Sequence, residues 1–315
     1  MTERRDAPAP DDSSSHKPQT KARPSIDSHT RRRTRIQGIL IFAVALMVLV
    51  TMNACAKSLV QHLPFEQAAW WRYAIQMPMV LFMIPYLRRT GFSLLKDWRL
   101  QIMRGLSLLG IVWFVYQGLS SFPLAETAMI IGTTPFLVAL LAWTVLKEKI
   151  PVRNWVVIIL GFLGTALVMR PGSGLFNPAS LFVVVAATCF AIQQINSRQL
   201  APVANPWHTV AYSILVGFVP LSLLLPFSWT TPAPEIWPLL LLNGVLSGIA
   251  DVLLVLAFMR VAASDLAPIQ YLQVFYALVL GYLWFGDVPD LIAIAGAGII
   301  IVSGLILLRG GPAGD

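Results

Sequence analysis

Long apolar runs, broken by short polar or turn-forming stretches, organise almost the whole chain. A helix needs about 20 apolar residues to cross the hydrocarbon core of a bilayer. Ten runs fit that requirement: 36–60, 64–87, 101–120, 124–146, 151–170, 178–197, 206–226, 237–259, 265–285 and 289–308. The breaks between them carry turn chemistry, as in His62-Leu63-Pro64, Phe122-Pro123, Asn205-Pro206 and Gly286-Asp287-Val288-Pro289. Apolarity is continuous within each run instead of alternating over short segments, which predicts helices and not barrel strands. The pattern therefore predicts an all-α polytopic membrane protein with ten transmembrane helices.

Composition agrees. Only 12% of the 315 residues are charged and 57% are hydrophobic, against about 25% charged in a soluble domain. Of the 23 Lys/Arg and 15 Asp/Glu, nine and five lie in residues 1–35, so the remainder cannot form the charged skin of a soluble fold. That excludes a soluble enzyme, a nucleic-acid-binding domain and a secreted disulfide scaffold. Residues 1–35 have almost no large apolar side chains and read as a disordered tail. Their basic end, Arg31 to Arg35, precedes an apolar run too long for a signal-peptide core, so a retained first helix is expected. Met52-Asn53-Ala54-Cys55 fits a lipoprotein cleavage site poorly. Cys55 and Cys189 both sit in apolar runs and offer no disulfide framework.

The positive charges are sorted. With the connections numbered alternately from a cytoplasmic N-terminus, one side holds twenty Lys/Arg and the other only Arg170; Lys57 and Arg72 lie within spans. This asymmetry places both termini in the cytoplasm, and the net charge of +8 becomes a topology signal with no nucleic-acid partner implied.

The chain also repeats itself. At an offset of 139 residues Arg104-Gly105 maps to Asn243-Gly244, Glu126 to Asp265, Phe136 to Phe275, Glu148 to Asp287 and Arg170 to Arg309. The first two helices align at an offset near 141, which sets Lys57 opposite Arg198. Each unit has five helices, and an odd number inverts the second unit relative to the first, an architecture of secondary transporters. The expected units are 36–170 and 178–309. Together with this repeat, Arg104-Gly105, Ala125-Glu126-Thr127-Ala128, Pro135-Phe136, Leu146-Lys147-Glu148, Ala267-Pro268-Ile269-Gln270-Tyr271 and Phe285-Gly286-Asp287-Val288-Pro289-Asp290 resemble the drug/metabolite transporter superfamily, EamA type. One departure is that Val274 stands where Pro135 would have its partner. The start of the ninth helix and the Gly-Asp-x-Pro-Asp turn look most like a branch with riboflavin and S-adenosylmethionine importers. The resemblance implies a bacterial inner-membrane carrier moving a small organic metabolite by alternating access, with riboflavin uptake as the leading expectation. S-adenosylmethionine uptake or exchange, or amino-acid or drug export, are the alternatives.

Polar groups inside a span are costly and mark candidate sites. Asp251, with no charged neighbour in its sequence, reads either as a coupling or counter-ion site or as a structural acid. Lys57 either snorkels to the interface or joins Asn53 in a polar stripe. Arg72, beside Trp70, Trp71 and Tyr73, reads as part of an interfacial aromatic belt. Trp113, Tyr116 and Gln117 share a face of the third helix. Gln193 in the sixth and Tyr271, Gln273 and Tyr276 in the ninth complete a set that suits either a flat amphipathic solute or helix–helix hydrogen bonding. Glu126 and Asp265 complement helix dipoles, while Glu148 and Asp287 close the same helices and suit a hinge or inter-repeat contact. Pro135 marks a helix break. Gly161-x-x-Gly164 and Gly244-x-x-x-Gly248 permit close helix approach.

Other chemistry is not indicated. No phosphate-binding loop with a Gly-Lys-Ser/Thr ending occurs. His16, His29, His62 and His208 lack metal-ligand spacing, and no Gly-x-Ser-x-Gly elbow occurs. No cofactor and no metal is implied. The expected partners are the lipid bilayer, a small-molecule substrate and, as an oligomer, a second copy of the chain. A membrane-embedded sensor or enzyme without transport is the alternative of a different class.

Overall fold

The computed structural model describes residues 28–91, 97–145, 152–169, 178–200, 205–261, 266 and 269–308. Glu148, Asp265, Arg170 and Arg309, and the tail before residue 28, lie outside the described residues, as does the side chain of Tyr271. The described residues are mostly helical and include no strand. In order they form α1 (Ser28–Leu59), α2 (Phe65–Arg89), α3 (Trp98–Leu119), α4 (Leu124–Ile131), α5 (Thr134–Val145), α6 (Val152–Met169), α7 (Ala179–Leu200), α8 (Pro206–Leu224), α9 (Trp237–Arg260), α10 (Leu272–Leu280) and α11 (Leu291–Leu308).

Two boundaries differ from the apolar pattern. The first helix begins at Ser28, so residues 28–35 are helical where a disordered tail was expected. Arginine is a good helix former, and adding residues to an existing helix avoids the cost of nucleation. The run 124–146 is not one helix. It breaks between α4 and α5 at Gly132-Thr133, because Pro135 has no backbone N–H to continue the ladder. The Thr133 and Thr134 hydroxyls donate to the carbonyls of Ile130 and Ile131 at 2.7 and 2.6 Å, satisfying acceptors near the break. The equivalent run 265–285 is irregular too, with a tight turn at Ile269–Tyr271 ahead of α10 and a wide turn over Gly281–Phe285 after it.

Among the described residues six stretches are long and apolar enough to cross a membrane: Ile36–Leu59, Trp98–Leu119, Leu124–Val145, Ala179–Ser197, Pro206–Phe227 and Pro234–Arg260. Helix α2 is equally long, at 25 residues, but Arg72, Gln76 and its tryptophans lower its apolarity. Ile159–Val168, Leu272–Phe285 and Leu291–Ser303 are shorter apolar helices among the described residues.

The helices bury polar groups and expose apolar ones, the reverse of a soluble fold. Ile36, Leu40, Val44 and Met47 form an exposed stripe on α1, and Phe82, Phe227 and Leu291 are more than four-fifths exposed. Inside lie Arg72, Gln76, Arg104, Asn243 and Asp251. This inversion is what a lipid solvent demands. Helix α1 packs along α9, α3 along α7 and α6 along α11, while α8 lies against α3 and α2 against α9.

Glycines permit the closest of these approaches. A Cβ on Gly244 would meet Ile75 at 2.4 Å, whereas one on Gly248 would sit at an ordinary 3.6 Å from Gln76. A Cβ on Gly161 would overlap the fully buried ring of Phe136 at 2.1 Å, and one on Gly164 would approach the carbonyl of Gly296 at 3.0 Å. Gly161→Ala is therefore expected to destabilise by about 1–3 kcal/mol, measured as a fall in unfolding midpoint in detergent. Gly298→Ala, with open space around its Cβ, should be neutral or stabilising.

Candidate functional site

Helices α1, α2, α3, α4, α7, α9 and α10 line a cleft. Its walls are mostly apolar, including Leu49, Ile111, Val112, Ile131, Phe190 and Leu254. Seven polar residues reach it: Asn53, Arg72, Tyr116, Thr127, Gln193, Asp251 and Gln273. An apolar cavity with a few convergent polar groups is the usual form of a small-molecule site.

Its electrostatic centre is an ion pair between α2 and α9. Arg72 Nη2 lies 3.2 and 3.3 Å from the two carboxylate oxygens of Asp251, and both residues are buried. Gln76, one turn after Arg72, donates from Nε2 to the Ser247 hydroxyl at 2.5 Å and to Asp251 Oδ2 at 3.4 Å. Positions four apart share a helix face. Arg72 and Gln76 on α2 therefore meet Asp251 and Ser247 on α9 as two matched rungs. Beside them Tyr116 donates to Asn243 Oδ1 at 2.9 Å, and Asn243 Nδ2 donates to the Met52 carbonyl at 2.9 Å. Arg72 Nη1 also contacts Met52 Sδ at 3.3 Å. Arg72 Nε and Gln273 Nε2 are buried donors without a partner among the described residues. Buried donors are normally satisfied, so these two leave hydrogen-bonding capacity at the cleft.

The structure thus takes Arg72 out of an interfacial belt and pairs it with Asp251. Neighbouring Trp70 and Trp71 do form an aromatic cluster with Trp229 and Trp237, but the guanidinium turns inward. The cleft stripe of α3 is Leu108, Ile111, Val112, Val115 and Tyr116. Trp113 and Gln117 flank that stripe half-buried, Trp113 packing edge-on against Phe65 at 5.0 Å between ring centroids. Tyr276 also lies off the cleft, its hydroxyl 3.4 Å from that of Thr51. Pro135 is buried at the start of α5, and Glu126 lies in the first turn of α4. Gln76, Ser247 and Asn243 were not singled out from sequence; their spacing around Arg72 and Asp251 is the signal that points to them.

Lys57 and Asp287 also come together, away from the cleft. Lys57 Nζ is 2.5 Å from Asp287 Oδ2 and 4.3 Å from the centre of the Phe285 ring. The turn that places Asp287 needs Gly286 in the left-handed region at φ 68°, where a side chain is strained. Lys57 stands in the last turn of α1, where its charge also complements the helix dipole.

Several proteins share this sequence pattern. The S-adenosylmethionine uptake transporter of Rickettsia prowazekii is 27% identical over 280 residues, covering 88% of this chain and 94% of that protein. The riboflavin transporter of Rhizobium johnstonii is 26% identical, covering 87% and 91%. The pseudopaline exporter CntI of Pseudomonas aeruginosa is 27% identical, covering 86% and 96%. A solved crystal structure, 20% identical, superposes with a TM-score of 0.64 over 87% of this chain and 98% of its own, a likeness of fold alone. The EamA-like transporter family matches twice, at residues 36–170 and 177–309. With this double match over apolar helices that bury their polar groups, the chain is a multi-pass membrane protein that belongs to the EamA-like transporter family.

Proposed function

We propose that this protein is an inner-membrane secondary transporter that carries a small zwitterionic metabolite by alternating access. The observation that carries this reading is the Arg72–Asp251 pair set in the wall of a mostly apolar cleft. A guanidinium suits a carboxylate, and the aspartate suits an ammonium. A solute with an α-amino-acid head can take both partners while its remaining surface packs on the apolar walls. S-adenosylmethionine has this chemistry, and it is the named cargo of the Rickettsia prowazekii relative.

Alternating access follows from an architecture of ten spans in two inverted five-helix units, 36–170 and 178–309, with both termini in the cytoplasm. Reciprocal packing supports it. Helix α1 on α9 is answered by α7 on α3, and α2 on α9 by α8 on α3. Gly244 abuts Ile75 as Gly105 abuts Val216, and Val216 stands 141 residues after Ile75. The sorting of positive charge supports the orientation.

Riboflavin is the second reading. It is the named cargo of the Rhizobium johnstonii relative, and the hydroxyl of Tyr116 and the amides of Gln193 and Gln273 suit the edge of a flat ring. Purified protein in liposomes preloaded with unlabelled solute separates the two. Exchange of labelled S-adenosylmethionine is expected. Exchange of riboflavin alone would move the assignment to the flavin, and inertness across both and a panel of amino acids would overturn the transport reading.

A further inference from the structure

A second arginine is buried in this bundle, and the cleft does not use it. Arg104 on α3 is 5% exposed. Its Nε donates to the Ser197 hydroxyl on α7 at 2.9 Å, and its Nη1 donates to the Ser213 hydroxyl on α8. Among the described residues both partners are neutral, and no carboxylate forms an ion pair with Arg104. A buried charge held only by hydroxyls is costly unless something else offsets it.

Arg104 borders a separate small pocket, bounded by Ser197, Thr209, Pro206, Val255, Phe258 and Met259. The internal repeat relates this place to the cleft. Residue 104 corresponds to Asn243 at the offset of 139, and Ser213 corresponds to Arg72 at 141. Asn243 stands beside Arg72 around Met52, as Arg104 stands beside Ser213. Each of the two related contacts between the units, 72 with 243 and 104 with 213, therefore carries one buried arginine, and both arginines belong to the first unit, on α2 in one case and on α3 in the other. The acid is not duplicated: 139 residues before Asp251 stands Val112. One arginine has its carboxylate built in, and the other faces a pocket.

We propose that the Arg104 pocket is a second anion site, which takes a carboxylate. The guanidinium fork is matched in shape to a carboxylate, and the apolar walls keep the interaction poorly screened. By the orientation argued above, the pocket lies nearer the cytoplasmic side, since it is bounded by the ends of α7 and α9 and the start of α8. The further role of this site as a stopping point for the solute's carboxylate rests on the transport reading; the anion site itself does not.

The test uses purified full-length protein in uncharged detergent, with sodium acetate replacing sodium fluoride at constant ionic strength. Unfolding is followed by tryptophan fluorescence. The wild-type midpoint is expected to rise saturably by about 2–4 °C. Ser197→Asp supplies a tethered carboxylate beside Arg104. It should abolish the acetate response and unfold no earlier than wild type in fluoride. Ser197→Asn, of similar size and uncharged, should still respond to acetate, though more weakly than wild type, so that complete loss in Ser197→Asp marks its charge. Should Ser197→Asp fail to fold, Arg104→Lys decides, since it keeps the charge and loses the fork; its half-saturating acetate concentration should rise about tenfold. The proposal is overturned by no acetate response in wild type, by an equal response in folded Ser197→Asp, or by an unchanged half-saturation in Arg104→Lys. Because acetate binding needs no transport, a protein inert in liposomes that still shows this pattern would sink the transport reading and keep the site.

Discussion

Asp251→Asn is expected to abolish solute exchange and to destabilise the protein by about 3–5 kcal/mol, the cost of leaving one member of a buried ion pair without its partner. The size of the effect comes from Arg72, which is 3% exposed and has no second carboxylate within reach among the described residues. An amide can accept one hydrogen bond from Nη2 but cannot neutralise the guanidinium. Gln76 would lose a charged acceptor as well. Arg72→Gln should do comparable damage from the other side. The double variant Arg72→Gln/Asp251→Asn separates stability from function. With both charges gone, the matched amides can hydrogen-bond, and the unfolding midpoint should recover most of the loss. Exchange of a zwitterion should not recover, because the charges proposed to recognise its head are missing. Unfolding in detergent and labelled exchange in liposomes measure the two effects on the same preparations. Wild-type exchange by the single Asp251→Asn variant would remove the ion pair from the mechanism.

Asp287→Asn is the second large expectation, and it acts on access rather than on the solute. The Lys57–Asp287 contact ties the end of α1 to the turn after α10, elements 230 residues apart that belong to the two matched units. Asp287 is 28% exposed on its side chain, so solvent screens the pair and its loss should cost only about 1 kcal/mol of stability. In an equilibrium between two packings that amount shifts the ratio about fivefold. Asn53, in the cleft one turn before Lys57, provides the reporter. With Cys55 and Cys189 replaced by serine, Asn53→Cys should react several-fold faster with a water-soluble thiol reagent when Asp287→Asn is added. The exchange of charges in Lys57→Asp/Asp287→Lys should restore the slower rate. Equal reaction rates in all three backgrounds would show that the contact does not control access.

These two contacts were legible in sequence to different degrees. Lys57 and Asp287 each stood out as charges at helix ends, and the repeat set basic residues at 57 and 198 and acids at 148 and 287. That regularity singles out four positions without saying which pairs form. Asp251 stood out as a lone acid in a span. Its partner did not, because Arg72 sits among aromatic residues and reads as an interfacial anchor. Nothing within α2 reports that its polar face meets α9, 179 residues further on. Arg104 carried a family motif, yet its burial beside two serines came from α7 and α8 closing over it.

Apolar length and turn chemistry by themselves determined that the chain is helical and lies in a membrane, and where most helices begin and end. Those properties are local: a run either can or cannot satisfy its backbone in lipid, and a proline removes its donor wherever it stands. The internal repeat was equally legible, because it is a relation between letters. Which face of each helix turns inward was not. In water, apolar periodicity identifies the buried face, but here lipid and protein interior are both apolar, and the periodic signal fades. Only the packing of distant helices decided that Arg72 meets Asp251, that Lys57 meets Asp287 and that Arg104 borders a pocket, because a charge in lipid is placed by the partner that compensates it.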